Sequence, residues 1–190
     1  MNVYDFDKTI YYPDSSYHFF LHCLRRHPLA VLPVIPLALA LGLRYWRGKI
    51  SAKHLKEHLF SFLGRIRDVE SEVEVFWEKH QKHLQDWYLQ QRQDDDLIIS
   101  ASPEFLLRPI SEKLGVSLIA TPMDARSGKI RGENCHDEEK TKRFKEKYQD
   151  APIEAFYSDS LSDSPMASLS KTAFLVKKGK HFPWPGKKKE

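Results

Sequence analysis

The spacing of hydrophobic positions changes rhythm twice along this chain. Met1–Phe6 reads as a short strand, with Val3, Tyr4 and Phe6 as β-formers ahead of acidic residues and a Lys-Thr turn. Over residues 13–92 the apolar positions recur at helical intervals. Pro13-Asp14-Ser15 is a helix-start signal, followed by Tyr17, Phe20, Leu21 and Leu24. Ser51 precedes Leu55, Leu59, Phe60 and Leu63, and a third helix spans about 70–91 with Val73, Phe76, Trp77, His80, Leu84 and Trp87 on one face. From Asp94 strand and helix patterns alternate. Strands fall at 97–100, 117–121, 153–157 and 173–176, helices at 103–114 and 138–148, and a small hairpin at 123–134. Such alternation predicts an α/β fold, a Rossmann-like parallel sheet with helices on both faces. An all-helical block interrupts it after the first strand. The expected division is a core (1–13 plus 92–190), a helical cap (14–91) and a basic tail (177–190).

Composition narrows the class. With 41% hydrophobic and 29% charged residues, the 190-residue chain is a folded domain rather than a disordered or fibrous one. Cys23 and Cys135 stand alone, which excludes a disulfide framework and a cysteine zinc site and favours a reducing compartment. The opening shows no secretory leader, so a cytoplasmic location is expected. Residues 177–190 hold six lysines against Glu190, so the net charge of +4 belongs to the tail and the body is nearly neutral. A nucleic-acid groove is not expected. No feature specifies an oligomer.

Four polar features stand at the ends of predicted elements. They are Asp5-x-Asp7-x-Thr9 after the first strand, Ser100 after the second, Lys140 at a helix start, and Asp159-x-x-x-Asp163 after the fourth strand. Open α/β sheets bind ligands at that edge, where the strand order reverses. Converging carboxylates repel one another and call for a cation. Their hard oxygens favour Mg²⁺ over zinc or copper. Mg²⁺ beside a lysine and hydroxyl donors suits a phosphoryl group. One aspartate can attack phosphorus, and a second, two residues on, can serve as general acid and then base.

Asp5-Phe6-Asp7-Lys8-Thr9, Leu97-Ile98-Ile99-Ser100-Ala101-Ser102, Asn134-Cys135-His136-Asp137-Glu138-Glu139-Lys140 and Ser158-Asp159-Ser160-Leu161-Ser162-Asp163 together resemble the four motifs of the haloacid dehalogenase superfamily. The similarity is to its phosphoserine-phosphatase-like branch with a helical cap, and it runs the length of the chain. The resemblance implies that Asp5 is the nucleophile and Asp7 the acid and base. It implies metal ligation by the Asp5 and Asp159 carboxylates and the Asp7 carbonyl, with Asp163 behind them. It also implies phosphate binding at Thr9, Ser100, Ala101 and Lys140, with Thr9 bracing the loop. Asp7 separates the phosphate-ester hydrolases of this superfamily from its dehalogenases. Asp14 falls where phosphoserine phosphatases read the substrate amine. Two positions depart from the family pattern: Ser158 and Asp137 stand where it usually has glycine.

Leu29–Leu43 is a run of 15 apolar, Gly or Pro residues. It is short for a membrane span, and Pro33 and Pro36 are expected to interrupt it. Arg25, Arg26, Arg44, Arg47, Lys49, Tyr45 and Trp46 flank it, which suits a lipid interface as well as a buried cap. Lys177, Lys178, Lys180, Phe182, Trp184 and Lys187–Lys189 suit either an anionic leaflet or a solvated terminus. His18/His22 and His54/His58 are i,i+4 pairs without a third ligand and read as solvated cap faces. Trp77 and Trp87 read as cap core. The sequence therefore predicts a Mg²⁺-dependent phosphomonoester hydrolase acting on a small phosphorylated metabolite. The alternatives are a membrane lipid phosphate such as phosphatidylglycerophosphate, met peripherally at the inner membrane face, and a non-catalytic membrane-binding protein.

Overall fold

The computed structural model describes residues 1–186. Six strands form one sheet, β1 (Val3–Tyr4), β2 (Leu97–Pro103), β3 (Ser117–Thr121), β4 (Ile153–Ser158), β5 (Ser170–Lys177) and β6 (Lys180–Pro183), in the order β3-β2-β1-β4-β5-β6. All pairings are parallel except β5 with β6. The chain runs outward from β1 to β3, then crosses back to place β4 on β1's other side. That reversal opens a crevice beyond the carboxyl ends of β1 and β4. Tyr4 lies opposite Tyr157, and the Asp5 N–H bonds the Tyr157 carbonyl at 2.8 Å. The register therefore sets Asp5 and Asp159 on adjacent chain ends. β1 and β2 are buried on both faces, as their continuous apolar runs predict for central parallel strands.

Between β1 and β2 the chain folds into α1 (Ser15–Arg26), α2 (Pro28–Val31), α3 (Ile35–Trp46), α4 (Ala52–Leu59), α5 (Val69–His80) and α6 (Asp86–Gln91). The start signals act as read: the Asp14 side chain accepts from the Tyr17 N–H, and the Ser51 hydroxyl accepts from the His54 N–H. The third predicted helix is in fact two. A 3₁₀ turn at Gln81–His83 separates α5 from α6, because the chain must rejoin the core there. The Gln85 N–H bonds the Ile10 carbonyl at 2.9 Å and the Tyr12 N–H bonds the His83 carbonyl at 3.1 Å. α7 (Glu104–Leu114), ended by left-handed Gly115, α8 (Glu138–Tyr148) and α9 (Ser164–Leu169) cover the sheet.

The inserted helices do not have a core of their own. Phe19, Phe76 and Trp77 pack in one cluster with Tyr4, Phe6, Tyr11, Leu106 and Ile110, and the Trp77 indole donates to the Leu106 carbonyl at 2.6 Å. The helical block is thus welded to the sheet through α1, α5 and α7. α3 is the exception. The prolines do not break the apolar run, which stays helical from Pro28 to Trp46 through a 3₁₀ turn at Leu32–Val34. Pro33 and Pro36 fall in the first turns of their segments, where a missing N–H costs no hydrogen bond. By length and composition this 19-residue stretch could cross a membrane, and only 22% of its most apolar window is buried.

The expected basic tail is partly sheet. Lys177 and Lys180 pair across the β5–β6 hairpin, and Trp184 packs on Phe156 in the second core cluster. β6 was not legible because its Lys-His-Phe-Pro sequence carries no apolar alternation. Lys187–Lys189 lie outside the described residues.

Candidate active site

Asp5 leaves β1 directly into a cavity of about 550 Å³. Asp7, Asp14, Ser100, Ala101, Lys140, Asp159 and Asp163 border the same space, so eight of the nine residues expected at the site converge there. Thr9 is the exception. It is buried behind Asp5 and donates its hydroxyl to Asp5 Oδ2 at 3.4 Å, so it braces the loop and does not border the cavity.

Lys140, only 2% exposed, extends from the first turn of α8 to Asp5 Oδ1 at 2.6 Å and Asp163 Oδ2 at 2.7 Å. Burial alone would lower its pKa, but these two carboxylates outweigh that and raise it, so the ammonium stays charged. Burial pushes Asp5 up to about 7, against the pull of Lys140 and with a further push from Asp163. Asp7 is pushed up to about 6, chiefly by burial and then by Asp14. Its carboxylate accepts from the Ser15 N–H at 2.6 Å and from the Ser102 hydroxyl. Asp159 is also raised by burial, with Lys8 and Lys177 opposing.

Five carboxylates and three lysines border the cavity. That excess of buried negative charge, with Asp163 Oδ1 lacking any hydrogen-bond partner among the described residues, fits a bound divalent cation. The carboxylates of Asp5, Asp7, Asp159 and Asp163 offer hard oxygen donors, the kind that suits Mg²⁺.

Both departures from the family pattern have local explanations. The Ser158 hydroxyl donates to Asp163 Oδ2 at 2.7 Å and accepts from the Ser160 N–H, so it holds the carboxylate that positions Lys140. Asp137 occupies φ +56°, ψ −127°, a conformation that glycine adopts without strain.

The sequence reading missed Lys56. From α4 it reaches the Ala101 carbonyl and Asn134 Oδ1, each at 2.8 Å, and it borders the cavity. Burial lowers its pKa, with Asp7 and Asp14 opposing. Nothing separates it in sequence from neighbouring Lys53, because only the docking of α4 selects which lysine points inward. Tyr17, Phe20, Leu59 and Phe60 complete an apolar roof. Asp14 serves both as the α1 cap and as part of the cavity wall.

No curated protein matches this sequence. Among solved structures, a protein of unknown function from Bordetella pertussis Tohama I is 24% identical with a TM-score of 0.75, covering 98% of this chain and 91% of that one. A phosphoserine phosphohydrolase-like protein from Francisella tularensis is 16% identical with a TM-score of 0.58, covering 94% and 88%. A phosphoserine phosphatase solved as its phospho-aspartyl intermediate analogue is 14% identical with a TM-score of 0.59, covering 90% and 83%. These likenesses establish a shared fold. The family model for haloacid dehalogenase-like hydrolases matches residues 3–168, a span that takes in all four motifs and the helices between them. The chain therefore belongs to the haloacid dehalogenase-like hydrolases.

Proposed function

We propose that this hydrolase is a Mg²⁺-dependent phosphomonoesterase working through a phosphorylated Asp5. The observation that carries the reading is the Asp5–Lys140–Asp163 chain on the floor of a cavity bordered by Asp7, Asp159 and Ser100. The Asp5 carboxylate attacks phosphorus, and the ester oxygen departs with a proton from Asp7. Water then attacks the phosphorus of the acyl phosphate and gives its proton to Asp7. Inorganic phosphate leaves and Asp5 is regenerated. A carboxyl held near pH 6 can fill both halves of that proton cycle near neutrality. Ser100 and Lys140 hold phosphoryl oxygens, with Ala101 beside Ser100 at the end of β2. Held by Asp5, Asp159 and the Asp7 carbonyl, with Asp163 behind, Mg²⁺ would neutralise charge on the transferring group. The helices over the cavity act as a cap that excludes water and selects the leaving group, with Lys56 its cation for an anionic substrate and Asp14 a second selecting group. A small phosphorylated metabolite is the simplest substrate, and the branch resemblance and the phosphoserine phosphatase neighbours support this class. Purified protein is expected to release phosphate from an aryl phosphate with Mg²⁺ and to lose that activity in EDTA. Equal turnover in EDTA would overturn the metal assignment.

A second reading concerns where the substrate resides. Leu29, Leu39 and Trp46 are 87%, 67% and 82% exposed, and Leu32, Leu37 and Leu43 share the exposed surface of the α2–α3 segment. Arg25, Arg44, Arg47 and Lys49 lie exposed at its ends. An apolar ridge ended by cations and aromatics matches an anionic bilayer surface, with the ridge in the acyl boundary and the cations among headgroups. The substrate would then be a lipid phosphate, met by a cytoplasmic protein docked on the inner face of a membrane. The protein is expected to co-sediment with phosphatidylglycerol vesicles, and Leu39→Glu with Trp46→Glu to lower that binding at least about tenfold. Absence of binding, with full activity on soluble esters, would remove this reading and leave the phosphomonoesterase intact.

A further inference from the structure

Outside the acidic cavity, the described residues bring together one further group of metal-ligating side chains. His18 lies on the first turn of α1, His80 ends α5, and His83 sits in the 3₁₀ turn that follows. One ring nitrogen from each lies within 4.8 Å of the others. Tetrahedral zinc with nitrogen ligands places those atoms about 3.3 Å apart, within reach of small ring rotations. His22, expected with His18 on a solvated cap face, is instead buried and turns to Glu72, at 3.2 Å.

Two details fit a metal better than plain packing. Tyr11 Oη lies 2.8 Å from His18 Nδ1, which orients the ring and leaves Nε2 for an ion. His80 Nδ1 is buried without a hydrogen-bond partner among the described residues.

We propose that His18, His80 and His83 form a site for a borderline-soft divalent ion such as Zn²⁺, completed by water, at the junction of sheet and inserted helices. The placement gives the ion a defined mechanical role. The chain leaves the core past Tyr11 and Tyr12 and returns at His83–Gln85, where the two crossings are hydrogen-bonded side by side. A metal joining α1 to the end of α5 ties both crossings beside the loop that carries Asp7. Imidazole selects against Mg²⁺, so this site and the oxygen-lined cavity would take different ions.

The test is a titration of chelator-treated, full-length protein with Co²⁺ in saturating Mg²⁺, followed by visible ligand-field absorption. One equivalent is expected to develop the band, and Zn²⁺ to displace it. His83→Gln and His18→Gln are expected to weaken binding by at least about 100-fold, and Tyr11→Phe by about tenfold, with circular dichroism unchanged. The band is expected to persist in Asp5→Asn. Three results would overturn the proposal: no band in the folded wild type, a band unaffected by the histidine changes, or a band that disappears with Asp5.

Discussion

Asp5→Asn is expected to lower phosphate release by at least about 10⁴-fold, the scale on which enzymes lose rate when a covalent nucleophile is deleted. That corresponds to about 5 kcal/mol of barrier. The amide keeps the carboxylate's shape but cannot form the acyl phosphate. Misfolding would not be the cause, because Lys140 retains Asp163 at 2.7 Å. Stability in EDTA separates the two explanations further. A carboxyl whose folded pKa is raised from 3.8 to about 7 binds its proton more tightly in the folded state. Its ionisation therefore erodes stability as pH rises from about 4 to 7. Asp5→Asn removes that part of the slope, and Asp7, raised to about 6, keeps a smaller part. Melting in EDTA is thus expected at an equal or higher temperature than wild type at pH 8. Retained turnover in Asp5→Asn would refute the nucleophile. A lower melting temperature at pH 8 would refute the account of its burial.

Lys140→Met carries the second large effect, on folding as well as rate. It strips the cation from Asp5 and Asp163, which Lys140 now bridges. Removing one partner of a buried ion pair costs about 3–5 kcal/mol, because the remaining charge is left uncompensated. For a domain of this size that lowers the melting temperature by about 10 °C in EDTA. Mg²⁺ is expected to restore part of the loss by supplying positive charge to the same carboxylates. Asp5→Asn combined with Lys140→Met should also be more stable than Lys140→Met alone, since one orphaned charge is gone. Single-variant changes that simply sum in that double variant would mean that the two groups do not interact energetically. Unchanged melting of Lys140→Met would mean that Lys140 is not the compensating charge.

The two experiments probe different properties of one arrangement. In the proposed reading Asp5 is a desolvated nucleophile, and Lys140 makes that desolvation tolerable.

Much of this was written locally. The apolar strands, the Asp14 and Ser51 caps and the acidic motifs depend on neighbours within a few residues, and pattern alone placed them. Those short-range signals also assigned the family and most of the cavity wall. Thr9 braces the loop as the resemblance implied, but the direction of its hydroxyl toward Asp5 depends on the turn through Lys8, which adopts φ +58°. Lys56, the His18–His80–His83 cluster and the β5–β6 hairpin were hidden for a common reason. Each joins residues whose partners lie tens of positions away or whose own sequence carries no periodic signal. Whether Leu29–Leu43 is buried or exposed was likewise undecided by composition, since both fates use the same residues. The structure leaves it largely outside the shared core, because α1 and α5 already cover α7 and the sheet. Local sequence determined which groups were available for chemistry. Long-range packing decided which of them meet, since charge, burial and direction are properties of the assembled neighbourhood rather than of any one segment.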